Sequence, residues 1–536
     1  FPVKAHRAVK GDRAMNRDRT MNQSTQPDIL IYLSDQHDGR VMGCAGHPVV
    51  ETPNLDALAS EGTMFENAYT SCPLCVPARM SFLTGRLPVH TGVYTNRGSI
   101  PSEMPTFLHL LALAGYETVL CGRMHFEGED QRHGFTKRIA GDITPTSIGP
   151  MAPYWERMGP MAPVMTEGGC IHSVGGGNSP VQEYDRYVIR EAETYLSQPH
   201  TKPQCVVVGT YAPHFPYIAP TELYDKYRMR TDLPPTLDIM ASAQDAGRLR
   251  DTTPELVKGV RAAYWGLIEF EDHCLGQVKS AWDTYLSRHG KRGIFFYLSD
   301  HGDHAGDRGF YGKQSLYEAA VRIPMIVSGD GILAGNRLRS PVSLLDAAPT
   351  VCQLAGAREL PFQDGVSLIP ELERGEERED RAVTAEWINL PYGRGTDYGR
   401  MIRQGKWKLI SYVSHPEEEL LICPDSDPWE LYNRIAEFPE AADELREAAF
   451  HNVCAGRIVE EKNIREDGYQ IVAQFQGQKS WVSSETWIPP RSVTQLPKQY
   501  LSTNQPMPEK FRRYWEMKNA EEGGKEREKA AEHSHL

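Results

Sequence analysis

No run of about eighteen consecutive apolar residues occurs anywhere in the chain, so no hydrophobic helix long enough to cross a bilayer is expected. Positive charge is in short supply as well: 58 Lys and Arg stand against 71 Asp and Glu, for a formal charge of −13 and a pI near 5.8. That balance argues against the concentrated basic face that a nucleic-acid partner requires, although KFRRYW (510–515) does interleave basic and aromatic residues. An anionic substrate would need a local positive site. The first segment, FPVKAHRAVKGDRAMNRDRT, is basic and lacks the apolar stretch of a secretory signal. Met21 reads as a start, and residues 1–24 as a leader outside the fold. The 10 cysteines are scattered, and Cys121, Cys205 and Cys352 fall in apolar runs, where a reduced thiol behaves as a small hydrophobe. That usage favours a reducing, cytoplasmic compartment.

What the chain does have is length and apolar content, 536 residues at 40% hydrophobic, enough for one large α/β domain and an accessory one. ILIYLSD (29–35) is a short apolar run ending on a carboxylate. It predicts a buried parallel strand with Asp35 at its C-terminal end, the edge where open α/β sheets gather ligands. Asn54 to Glu61 has helical spacing and a glycine stop, and Pro77 to Thr84 closes on Gly85, which places Cys75 at a helix N-terminus where the dipole favours an anion. Helical and strand-like stretches keep alternating through QCVVVGT, a long helix from about Pro254 to Leu286, GIFFYLSD ending in Asp300, and IPMIVSG. This rhythm implies a large, mostly parallel sheet sandwiched by helices over 25–375.

Two stretches break the rhythm. Residues 141–180 are rich in Gly, Pro and Met and carry GPMAP twice, which reads as a long loop over a pocket. The charged run PELERGEEREDRA near 370–382 reads as a linker. Beyond it, 376–510 is expected to form a smaller C-terminal α+β subdomain with an antiparallel sheet, followed by a charged, solvated tail over 511–536.

The most informative stretch is Ser71-Cys72-Pro73-Leu74-Cys75-Val76-Pro77-Ala78-Arg79 with Leu83-Thr84-Gly85-Arg86. It contains a C-x-x-C, but zinc would want a second such pair and none exists, and a thioredoxin-like site belongs near the start of a far smaller domain. The segment resembles the sulfatase signature C-x-P-x-R followed by L-T-G-R, with Ala78 where serine is commonest. The chain is thereby identified as resembling the formylglycine-dependent sulfatases of the alkaline phosphatase superfamily, from about residue 27 to 435. In that family the cysteine is oxidised to formylglycine by a maturation enzyme that reads this motif in the unfolded chain.

The family's other motifs follow in order. Asp35-Gln36 and Asp300-His301 match its two metal-binding pairs, in the version found in choline-sulfatase-like and phosphonate-monoester-hydrolase-like branches. With residue 75, that oxygen-rich set suits Ca²⁺, or Mn²⁺ or Mg²⁺. Cys121-Gly122-Arg123-Met124-His125 resembles the G-K-x-H segment with arginine for lysine; His214 and Lys313 match a proline-flanked histidine and the lysine after D-H-G.

The resemblance implies a mechanism. A hydroxyl of the hydrated aldehyde at residue 75 attacks sulfur, Arg79 orients the diol, His214 and Lys313 bind the ester and protonate the alcohol, Arg123 holds the anion, and His125 takes the proton that lets the aldehyde re-form. Two alternatives stay open: a phosphonate monoester or phosphodiester hydrolase, against which the Arg123-x-His125 pair argues, and a non-catalytic sulfated-glycan binder, which should have lost a reacting group. CGRMHFEGEDQRHGF and DHGDHAGDRGFYGKQSLYE look like choline sulfatases in particular. Yet where a cage tryptophan is expected, shortly after Asp142 to Pro145, the chain has Ser147-Ile148-Gly149-Pro150, with Tyr154 and Trp155 out of register. A carbohydrate or aryl sulfate is the expected substrate, with 141–180 as the specificity element. The branch's habit of reaching neighbouring sites with C-terminal tails implies a homo-oligomer.

Overall fold

The computed structural model describes residues 26–149, 151–166, 169–237, 252–389, 396–477, 485–496 and 499–502. The leader expected over 1–24 and the tail expected over 511–536 lie outside the described residues.

Eight strands make the main sheet: β1 (Asp28–Asp35), β2 (Gly62–Phe65), β3 (Glu117–Gly122), β4 (Lys137–Ala140), β5 (Gln204–Pro213), β6 (Gly293–Ser299), β7 (Met325–Gly329) and β8 (Asn336–Leu338). Their order is β8-β2-β7-β6-β1-β5-β3-β4. All run parallel except β7, which is antiparallel to both β6 and β2. β1 is buried on both faces, and its side chains divide by parity as a strand demands. Ile29, Ile31 and Leu33 pack against α2 (Cys75–Thr84) and its neighbours. Leu30 and Tyr32 pack on the other side against α1 (Pro53–Glu61), α3 (Pro180–Leu196) and α4 (Pro254–His289). A strand covered on both faces has no use for alternation with polar residues, which is why ILIYL is continuously apolar.

Helix α4 is 36 residues long, with Thr253 Oγ1 accepting from Leu256 N at its start and Gly290 in the left-handed region (φ 59°) at its end. The shorter α2 stops at Gly85 (φ 65°), whose N–H reaches Ser81 O.

A second sheet of four antiparallel strands, β9 (Ala382–Trp387), β10 (Gly399–Gln404), β11 (Trp407–Tyr412) and β12 (Leu420–Ile422), lies C-terminal to the first. The charged run before it is no loose connector. Arg378 pairs with the buried Glu371 and Arg381 with the buried Asp346, so two of its cations tie the run to the first domain while Glu373, Glu376, Glu377, Glu379 and Asp380 stay exposed. After the sheet, α5 (Ala455–Gln476) returns to the first domain: Arg97 meets Glu466 at 2.6 Å, Tyr469 donates to Glu127 at 2.5 Å, and Arg465 donates to Gly92 O. Further on, Trp487 N donates to Asp142 O, and Gln499–Ser502 pairs with Ser173–Gly176.

Candidate active site

Four neighbouring parallel strands, β6, β1, β5 and β3, end at one edge. Each hands a functional residue to it: Asp300 follows β6, Asp35 closes β1, His214 follows β5 and Arg123 follows β3. The close approach of β5 to β3 depends on Gly209, because a Cβ there would collide with Arg123 O. Helix α2 brings Cys75 to the same edge from its N-terminus.

Arg79 is the clasp of the site. Its Nε donates to Asp300 Oδ2 at 2.8 Å and its Nη2 to Asp35 Oδ2 at 3.0 Å, all three side chains being fully buried. Arg123 Nε adds a 2.6 Å bond to Asp35 Oδ2. Burial alone would raise the Asp35 carboxyl, but Arg123, His214, Arg79 and His301 together hold it well below the usual range. Both arginines take Oδ2, which leaves Oδ1 beside Cys75 and His301, 3.8 Å from Cys75 Sγ and 3.9 Å from His301 Nε2.

His301 gives its Nδ1–H to Gly302 O at 3.0 Å. A carbonyl can only accept, so the Nε2 lone pair is directed inward, 3.1 Å from Cys75 Sγ. One ligand atom each from Asp35, Cys75, Asp300 and His301 lies within 4.8 Å of all the others. Ligands on opposite sides of a cation at about 2.4 Å would be about that far apart, so this buried set of two carboxylate oxygens, one thiol sulfur and one imidazole nitrogen has the span of a divalent-ion site. Gln36, turned by a left-handed backbone (φ 69°), presents its Oε1 to Lys313 Nζ at 2.6 Å. The Cys75 thiol is pushed up to about 11, by burial first and then by Asp35. It is a poor nucleophile as it stands.

Beside this cluster Arg123 lies over the Tyr211 ring, 4.5 Å from its centroid, and its Nη2 donates to His125 Nδ1 at 3.0 Å. Its Nη1 is buried without a hydrogen bond, Asp142 Oδ1 being 3.8 Å away. That is a donor left open for an anion. Burial and then Arg123 hold His125 neutral, its pKa well below the usual value. With Nδ1 accepting, the ring proton sits on Nε2, so His125 serves as a base only when Arg123 releases Nδ1. His214 gives its Nδ1–H to Phe215 O at 2.8 Å and accepts from Lys313 Nζ at 2.6 Å through Nε2.

The residues expected from the sequence, Asp35, Gln36, Cys75, Arg79, Arg123, His125, His214, Asp300, His301 and Lys313, are thus joined in one network of contacts, completed by the backbone N–H groups of Gln36 and His301, which both donate to Asp300 Oδ1. Sequence reasoning missed three supports. Asp142 accepts from the backbone N–H groups of Met124 and His125 and is brought down to about 2 against the effect of burial, chiefly by Arg123. Tyr211 lies beneath the Arg123 guanidinium, and Asp303 receives the Gln36 amide. Only Asp303 carried a signal, as the second acid of D-H-G-D.

Above the network opens a cavity of about 1170 Å³. Its floor includes Cys75, Arg123, His125, His214 and Lys313; its walls include Thr144, Tyr154 and Met165 from the 141–180 stretch, and Lys462, Glu466, Tyr469 and Gln470 from α5.

The family model for sulfatases matches residues 27–357, and that for the C-terminal part of N-sulphoglucosamine sulphohydrolase matches 306–450. The choline-sulfatase of Rhizobium meliloti is 35% identical over 457 residues, covering 80% of this chain and 86% of that protein. The chain belongs to the sulfatase family. This sulfatase is a choline-sulfatase-like member of the alkaline phosphatase superfamily and a sulfuric ester hydrolase. An arylsulfatase of Clostridium perfringens is 29% identical over 489 residues, covering 83% of this chain and 96% of that one. The phosphonate monoester hydrolase of Agrobacterium radiobacter shares the fold, with a TM-score of 0.63 at 20% identity over 79% of this sulfatase and 94% of that chain.

Proposed function

We propose that this sulfatase releases sulfate from a saccharide, through a formylglycine made from Cys75. The observation that carries the choice of alcohol is the cavity. At about 1170 Å³ it exceeds the roughly 300–1,000 Å³ in which pockets enclose drug-sized ligands, and its outer wall bears Lys462, Glu466, Tyr469 and Gln470, side chains suited to hydroxyl groups. The expected result is a kcat/KM for a sulfated mono- or disaccharide above those for choline sulfate and 4-nitrophenyl sulfate. A choline ester outpacing every saccharide tried would overturn it.

The burial of Cys75, Val76, Pro77, Ala78 and Arg79 supports oxidation before folding, since a maturation enzyme could not reach them afterwards. Asp35, Gln36, Asp300, His301 and residue 75 would hold the divalent metal. The two carboxylates and the amide oxygen favour Ca²⁺, with Mn²⁺ or Mg²⁺ as substitutes. When bound, it would supply positive charge beside the attacking hydroxyl and the ester.

The rest is done by the chain. Residue 75, as a hydrated aldehyde beside the Asp35 and Asp300 carboxylates that Arg79 clasps, gives one hydroxyl oxygen to sulfur and that hydroxyl's proton to the adjacent Asp35 Oδ1, as the bond from sulfur to the alcohol oxygen breaks. Lys313, held by His214, supplies the proton that the alcohol needs. The anion draws the open Nη1 of Arg123, which frees His125 to take the proton of the second hydroxyl. The aldehyde then re-forms as its bond to sulfate breaks.

The open Nη1 of Arg123 sets what replacing this residue should do. Arg123→Lys should keep turnover within about tenfold, since one ammonium cannot serve Asp35, His125 and the anion together. Arg123→Ala should lose about 10²–10³-fold in kcat, the usual cost of one preorganised donor. Equal steady-state rates for all three proteins would remove Arg123 from the reaction.

A further inference from the structure

Gln36 stands where a carboxylate would be the stronger ligand, and its amide has two ends that differ. Lys313 Nζ lies 2.6 Å from Oε1, and Nε2 donates to Asp303 Oδ2. Flipping the amide would aim its NH₂ at an ammonium and its carbonyl at a carboxylate, so the neighbours decide which end faces the metal site. Asp303 is itself unable to turn away. It is 1% exposed; its Oδ1 accepts from Ala305 N at 2.8 Å and Gly312 N at 3.0 Å, and the Tyr217 hydroxyl donates from 2.8 and 2.9 Å to its two oxygens. These donors come from the loop after β6 and from the segment after β5, which fixes the carboxylate plane from two sides.

We propose that Asp303 is a positioning residue that locks the Gln36 amide with Oε1 toward the cation, and that it carries, one hydrogen bond behind the ligand shell, the negative charge a glutamine ligand lacks. The proposal rests on the reading of Gln36 as a ligand. It differs from a structural role for Asp303 in one respect: it ties cation affinity to which of residues 36 and 303 bears the charge.

Calcium titration of the full matured chain by isothermal calorimetry tests it. Gln36→Ala should weaken Ca²⁺ binding; unchanged affinity would remove Gln36 from the ligand set and the proposal with it. Asp303→Asn retains an oxygen for the Ala305 and Gly312 donors and should cost about 10–100-fold in affinity, the usual effect of losing a partner behind a ligand. Gln36→Glu adds ligand charge, so without Asp303 it should bind tighter; facing Asp303, it should bind no tighter than wild type. The double variant Q36E/D303N, in which the introduced amide can donate to the introduced carboxylate, should recover the affinity lost in D303N. If Q36A weakens binding while D303N leaves it unchanged, the ligand reading stands and the role of Asp303 falls. Should D303N fail to fold, a tighter Q36E alone would overturn the proposal.

Discussion

Cys75→Ser is expected to abolish sustained turnover, by on the order of 10⁴-fold or more, while leaving the protein able to react once. A serine in that place has about the size of the thiol and occupies the same point between Asp35 Oδ1 and His301 Nε2, at 3.8 and 3.1 Å in the present geometry. Its hydroxyl can attack sulfur. What it lacks is the second hydroxyl of a hydrated aldehyde, so nothing expels the sulfate that it has accepted. Intact mass spectrometry after incubation with substrate should show one sulfuryl group per chain on the variant and none on Cys75→Ala. Wild-type protein that escaped maturation should be equally unable to turn over, because a thiol that accepts the sulfuryl group has no second hydroxyl to expel it. Sustained turnover by Cys75→Ser, or an intact thiol at residue 75 in a fully active preparation, would sink the mechanism.

The parts of this site that the sequence revealed are those that sit at the ends of recognisable elements. ILIYLSD and GIFFYLSD each announce a buried strand and its terminal aspartate, and both aspartates lie at the edge where Arg79 joins them. The signature around Cys75 likewise predicted a helix that begins on the cysteine and ends on Gly85. The orientation of β7 was not legible: IPMIVSG is as apolar as its parallel neighbours, yet it runs antiparallel to β6, and burial on both faces produces the same composition either way.

Supports contributed from a distance were silent too. Asp142 sits in a stretch read as a loop, and its importance comes from two N–H groups 17 and 18 residues earlier. Helix α5 reaches the cavity from more than 300 residues beyond Arg97 and Glu127, through contacts such as Arg97 with Glu466. No local pattern marks such a residue, because its role is set by where the chain returns. The ties of the charged run were silent for a related reason: most of its acids are exposed, as a linker's would be, yet Arg378 and Arg381 reach the buried Glu371 and Asp346.

Lys313→Met should separate substrates by their leaving groups. His214 is kept neutral by burial and by Lys313 itself, and its Nδ1–H is committed to Phe215 O. The transferable proton of the pair is therefore on Lys313, whose Nζ lies 2.6 Å from both His214 Nε2 and Gln36 Oε1. An alkyl or saccharide alkoxide is too basic to leave without a proton, so kcat/KM for such esters should fall by about 10²–10⁴-fold, the range of a positioned general acid. A 4-nitrophenolate leaves as the anion, and 4-nitrophenyl sulfate should lose no more than about tenfold, the part owed to the positive charge on the bound ester. Rates with a saccharide sulfate and with 4-nitrophenyl sulfate, measured on the same metal-loaded variant, give the ratio directly. Equal losses on both would mean that Lys313 binds the ester without protonating it, and the acid would then have to be found elsewhere along the cavity floor. A selective loss would leave His214 the task that its geometry describes, accepting the Lys313 hydrogen bond and holding the ammonium in line with the departing oxygen.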